Sequence, residues 1–435
     1  MKIALVLCPL LFLAGTLTGA TNDYRGPASY ETAYFYRTDT PDQNIKQFPQ
    51  SIDALRAKDA ALYVRQTADY INRSSKNNFE RIKKAHDVVA LTIRYDAASF
   101  LSGRVPSQKY EDILRGGLAV CEGYSNVFKR LCDELKIECE IVHGFGRGVG
   151  TSPFRNDTPA SSNHAWNLVK IEGAWYLVDC TWDSGHLNGR AFQAEYSTDY
   201  LFLKPEYFIY THFPDTPRQQ LISSPLSADA FSKLPFFKPK FFDSLSGLNP
   251  ALQKINAANG TLGFTFTLNA GFEVSFSVYD EAGGKKYDNC SFTQKEGASY
   301  KTYLSFPSPG NYTVKCFWKK PGQNVSSSCG EFGVRSGRAS AVKYPLQYGN
   351  FGPEITIVSP LEMPLAAGRK YNFTLRCDTN YAAVIYDKTF VQLQKNNEGV
   401  FSVEAAIPPG VKTVMIGTSN TLNGRYTGVI QYEVK

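Results

Sequence analysis

A chain of 435 residues with 43% hydrophobic content is long enough for roughly three packed domains. Its net charge of +7 is mild for that length and no Lys/Arg block stands out, so binding to nucleic acid is not indicated. The 9 cysteines form no C-x-x-C pair and the 5 histidines are scattered, which argues against a zinc site.

Residues 1–20 place one Lys before an apolar run too short to span a bilayer, with small residues after it. They read as a secretory signal peptide cleaved near Ala20, which would remove Cys8. No later run is long and apolar enough for a membrane span, and the expected location is secreted, extracellular. Residues 21–50 are polar, with Pro and Gly and no period, and read as an extended N-terminal arm; no cleavage motif marks it as a propeptide. Ser51 can cap a helix carrying Ile52, Leu55, Leu62 and Val64. A second helix is expected from Asn77 to Tyr95, with Ile82, Ala85, Val88, Val89 and Ile93 on one face.

Cys121 follows the flexible run Gly116-Gly117-Leu118-Ala119, and Tyr124, Val127, Phe128, Leu131 and Leu135 recur after it at helical spacing. It therefore opens an amphipathic helix, where the dipole favours thiolate over thiol. By itself the same position suits a small buried residue. A strand at Ile141 leads into residues 145–163, rich in Gly, Ser and Pro and expected as a mobile rim over a cleft. Two alternating runs then flank Glu172-Gly173, a hairpin pattern. With those two residues as the loop, paired positions sum to 345. Trp166 then faces Asp179, and His164 and Asp179 become diagonal neighbours on one face, roughly 7–8 Å apart at the backbone. A slip of one residue would separate them. A thiol, a base and an orienting carboxylate are the parts of a nucleophilic triad. Trp166 and Trp182 are expected either as walls of the substrate cleft or as core packing, and His143, His186 and His212 are rival bases. Cys180 points to the opposite face from Asp179, toward core or disulfide. The Cys121 backbone N–H can serve as one oxyanion donor; the second is not visible.

From about Gly247 short alternating runs separated by Gly, Pro and Asn suggest two β-sandwiches, 247–344 and 354–435, joined by a linker at 345–353. Asn-x-Ser/Thr acceptors occur at Asn72, Asn156, Asn259, Asn289, Asn311, Asn324 and Asn372, with Asn156 weakened by Pro159. With Cys121 free, seven cysteines remain and cannot all pair. Two of Cys290, Cys316 and Cys329 could form one disulfide, and Cys132 with Cys139 another.

The stretches AVCEGYSNVFKRLC and NHAWNLVKIEGAWYLVD resemble the transglutaminase-like superfamily. PEYFIYTHFPDTPRQQLI (205–222) and LPFFKPKFF (234–242) are similar to its kyphoscoliosis peptidase and hillarin branch. The resemblance covers about residues 50–245 and implies an α+β papain-like transglutaminase core over 51–246, followed by two all-β immunoglobulin-like sandwich domains. By position it implies Cys121 as nucleophile, His164 as base and Asp179 as orienter. The expected function is that of a secreted thiol enzyme acting on protein amide or peptide bonds through a thioester, by hydrolysis or acyl transfer. The alternative is a catalytically silent extracellular scaffold that binds a protein partner through its sandwiches. No cofactor is expected; without a loop of calcium-ligand spacing a calcium-gated enzyme is disfavoured but calcium is not excluded.

Overall fold

The computed structural model describes residues 24–45, 48, 53–148, 159, 161–249, 255–348, 355–421 and 424–435. The signal segment, Ser51, Asn156, most of the cleft rim and part of the linker lie outside them.

Helix α1 (Ala60–Ser74) starts at Asp59, whose side chain accepts from the Leu62 N–H, and α2 (Asn78–Thr92) starts at Asn77, which accepts from the Glu80 N–H. The single helix expected from Ser51 is thus divided: a short helix, Asp53–Lys58, stops where Asp59 caps α1. The second helix ends at Thr92 rather than Tyr95, because β-branched Thr92 and Ile93 favour extended backbone. Strand β1 (Arg94–Tyr95) then pairs in parallel with β2 (Leu118–Ala119). Helix α3 (Cys121–Glu134) buries Tyr124, Val127, Phe128 and Leu131, each contributing about 1.5–3 kcal/mol relative to exposure. Those side chains join residues of α1 and α2 in the largest core of the molecule.

Strands β3 (Cys139–Gly146), β4 (His164–Ile171) and β5 (Ala174–Val178) are joined by β6 (His212–Pro214) in the order β5-β4-β3-β6. The β4–β5 hairpin pairs Asn167 with Val178, the register whose positions sum to 345. Its loop residues Glu172 and Gly173 both have positive φ, 53° and 82°, which suits the right-handed strand twist. Asp179 caps the short helix α4 (Cys180–Ser184) that follows β5.

The N-terminal stretch read as an extended arm is packed into the domain. Tyr24 stacks on Trp175 with centroids 5.4 Å apart, and Ala33 and Ile45 are buried in the same core as α1 to α3. Periodicity missed this because the segment contributes isolated residues rather than one continuous face.

Strands from Leu245 onward build two sandwiches. The first pairs a four-stranded sheet (Leu245–Asn249, Thr261–Leu268, Ser299–Ser305, Ser291–Glu296) with a sheet centred on Gly310–Lys319 and Ser327–Ser336. The second closes around Phe373, Val384, Phe401, Ile416 and Tyr432. Gln294 of the first sandwich accepts from the Ile357 N–H at 2.9 Å and donates to the Ile357 carbonyl at 3.1 Å, tying the two together. All eight described cysteines are thiols, so the expected disulfides are not formed. Of the group Cys290, Cys316 and Cys329, the Cys316 and Cys329 sulfurs lie 3.3 Å apart on paired strands, and Cys132 and Cys139 lie near enough for Cys139 to raise the Cys132 thiol beyond what burial does.

Candidate functional site

Cys121 is the first residue of α3, and its N–H has no partner among the described residues. Alone among the described cysteines it is partly exposed; the other seven are buried. His164 opens β4 and is 8% exposed. Its Nε2 donates to Asp179 Oδ2 at 2.7 Å, and its ring lies near enough to the Cys121 side chain for that sulfur to raise its pKa. Nδ1 is the nitrogen turned away from Asp179. Burial alone would depress this imidazole, but the Asp179 carboxylate and the Cys121 sulfur outweigh burial and raise it to about 10.

Asp179 is fully buried, and four donors satisfy it. Oδ1 accepts from the Thr181 and Trp182 N–H groups at 2.8 and 3.1 Å, and Oδ2 accepts from His164 and from His212 at 3.0 Å. Burial would raise its pKa, but His164 and His212 overcome burial and hold it well below the usual carboxylate range. The ligand atoms of His164, Asp179 and His212 all lie within 4.8 Å of one another, a spacing a metal ion would accept. The hydrogen bonds occupy all three atoms without one. Behind α4, Asp183 takes the Nε2 of buried His86 at 3.0 Å, and Asp87 takes its Nδ1 at 3.1 Å, anchoring the helix that Asp179 caps to α2.

The remaining expected residues divide. Trp182 is partly exposed, with its ring centroid 5.2 Å from that of His164. Trp166 is only 1% exposed and cannot wall a cleft; it lies beneath the His164 and His212 rings. His143 pairs with Glu122 at 2.9 Å, a carboxylate supplied by α3 that spacing could not reveal. His186 pairs with Glu195 on a separate hairpin. Cys180 is buried in the main core. Sequence reasoning offered His212 only as a rival base, whereas its β6 register with β3 carries it to Asp179 as a second partner of that carboxylate. The half-buried Tyr95 phenol at the end of β1 also reaches the site: burial first, then the charge of Cys121, raises it above its ordinary value.

Residues 65–180 match the model of the transglutaminase-like superfamily, and residues 228–347 that of the KY-like, immunoglobulin-like domain. Kyphoscoliosis peptidase of Mus musculus is 28% identical over 258 residues, 59% of this chain and 38% of that protein. Hillarin of Drosophila melanogaster is 31% identical over 142 residues, 30% of this chain and 17% of that one. A solved structure described as a TGase is 14% identical, covers 32% of this chain and 38% of its own, and superposes with a TM-score of 0.22. The chain thus spans less than two fifths of the length of these relatives. It carries a transglutaminase-like domain ahead of a KY-like immunoglobulin-like domain, and over these parts it is similar to kyphoscoliosis peptidase and hillarin.

Proposed function

We propose that this protein is a thiol acyl-transfer enzyme acting on carboxamide or peptide carbonyls of proteins. One observation carries the reading: His164 stands between a partly exposed thiol at a helix start and a buried, fully hydrogen-bonded carboxylate. Cys121 gives its proton to His164 Nδ1, and the sulfur attacks the carbonyl carbon. The Cys121 N–H, at the start of α3, receives the oxyanion. The C–N bond breaks as His164 returns the proton to the departing amine, leaving a thioester. His164 then takes a proton from the second nucleophile, which displaces the thiol. Water makes the reaction hydrolysis and a lysine amine makes it cross-linking; the relatives named peptidases favour water.

The test is acylation of Cys121 by a glutamine peptide or an activated ester, followed by mass spectrometry. Wild type should form the adduct, and Cys121→Ala and His164→Ala should not, at unchanged melting temperature. If no carbonyl probe acylates the folded protein, the scaffold reading replaces the enzyme. The KY-like immunoglobulin-like match supports that alternative, in which the sandwiches hold a protein partner.

We further propose that the protein is a secreted glycoprotein, supported by the apolar N-terminal run and by the acceptors Asn72, Asn259, Asn289, Asn311, Asn324 and Asn372, none of which is buried. Expression in a secreting eukaryotic cell should release material that loses mass on deglycosylation. Retention of an unmodified chain inside the cell would overturn this.

A further inference from the structure

Strands β4 and β6 flank β3, so their backbones lie about 9.5 Å apart. His164 sits opposite Gly144 and His212 opposite Gly146, which sets both imidazoles on the face those glycines share. A Cβ at Gly146 would lie 3.0 Å from the His164 Cβ and 3.1 Å from its ring carbons. A Cβ at Gly144 would press to 2.7 Å from the Trp166 ring. The two missing side chains leave the room in which rings from the outer strands meet above the middle one, centroids 5.3 Å apart. Asp179 Oδ2 accepts from both Nε2 atoms, at 2.7 Å from His164 and 3.0 Å from His212.

The two rings are not equivalent. His212 is fully buried among Trp166, Trp182, Tyr200 and Phe208, with Trp182 and Phe208 centred 4.4 and 4.1 Å away. Burial brings it down to about 4, against the pull of Asp179. A neutral imidazole carries one N–H, and an ionised carboxylate only accepts, so that proton sits on Nε2. Nδ1 is then the acceptor for the Thr211 hydroxyl, 2.9 Å away.

We propose that His212 is a positioning residue of the site, a neutral imidazole whose Nε2–H holds the Asp179 carboxylate from the side opposite His164; the role rests on the acyl-transfer reading above. Its donation fixes the oxygen that orients His164 and weakens the pull of that oxygen on the His164 proton. Because it brings no charge, it does not compete with His164 for the ion pair. Asp179 therefore orients and stabilises the imidazolium without taking its proton.

Two measurements test the role. In the wild-type protein, ¹⁵N spectra of the histidines should show His212 as the Nε2–H tautomer between about pH 5 and 8. A doubly protonated ring, or the Nδ1–H tautomer, overturns the proposal and needs no variant or activity. His212→Phe keeps a ring without a donor, whereas His212→Gln keeps an N–H at similar reach. The Phe variant should lose on the order of 10- to 100-fold in acylation rate at unchanged probe binding, and Gln should recover most of it. If both acylate like wild type at unchanged melting temperature, His212 merely fills space and the proposal falls. If wild type itself acylates no probe, the acyl-transfer reading fails and takes the role with it, whereas a wrong tautomer removes the role alone.

Discussion

Asp179 is the residue on which the site depends most, because it is a buried charge with every lone pair engaged. Asp179→Asn preserves shape and removes the charge that lifts His164 to about 10. In wild type the imidazolium persists below that value, so the alkaline limb of acylation should fall near pH 10. With the raising charge gone, the limb should move to lower pH. The rate should drop by about 10²–10⁴, the upper end being that of the serine-protease template and the lower reflecting a thiol's smaller need for a third group. Acylation measured from pH 5 to 11 in both proteins checks this. An unchanged limb at unchanged rate would mean that another residue orients His164.

At the scale of elements, the site depends on what β3 lacks. A methyl at Gly144 would collide with the Phe213 carbonyl, which is backbone and cannot rotate away. Gly144→Ala should therefore part β3 from β6 and cost about 1–3 kcal/mol, read from denaturant unfolding. The nearest atoms to a methyl at Gly146 belong to the His164 side chain, at 3.0–3.1 Å, and not to backbone. Gly146→Ala should leave stability within about 1 kcal/mol of wild type while displacing the imidazole and cutting acylation at least tenfold. Equal stability losses in the two variants, with acylation intact in Gly146→Ala, would show that the strand accommodates a side chain at either position. The hairpin was legible at this scale because its turn chemistry and two-residue alternation leave one register. The start of α3 was legible because the residues after Cys121 hold one helical period.

Across the whole molecule, the transglutaminase-like domain and the first sandwich share residues. Phe237 pairs its backbone with Gly330, and Phe237, Phe241 and Leu245 lie in the sandwich core although they precede residue 247. A fragment 228–435 should melt cooperatively, whereas 247–435 lacks three core side chains worth about 1.5–3 kcal/mol each, most of a typical domain's net stability. Far-UV spectra and melting curves decide; equal melting of the two fragments would show that the aromatic segment is dispensable. Sequence alone determined the features that local rules govern: the alternation of the sandwiches, the helix opened by Cys121, and the hairpin register that joins His164 to Asp179. Tertiary structure decided what comes from strand order and distant segments: the arrival of His212 across β3, the Glu122 carboxylate on His143, the burial of Trp166, and the N-terminal stretch that packs into the core. Local pattern specifies the face a side chain occupies within its own element. Which foreign side chains share that face depends on how elements far apart in the chain come together.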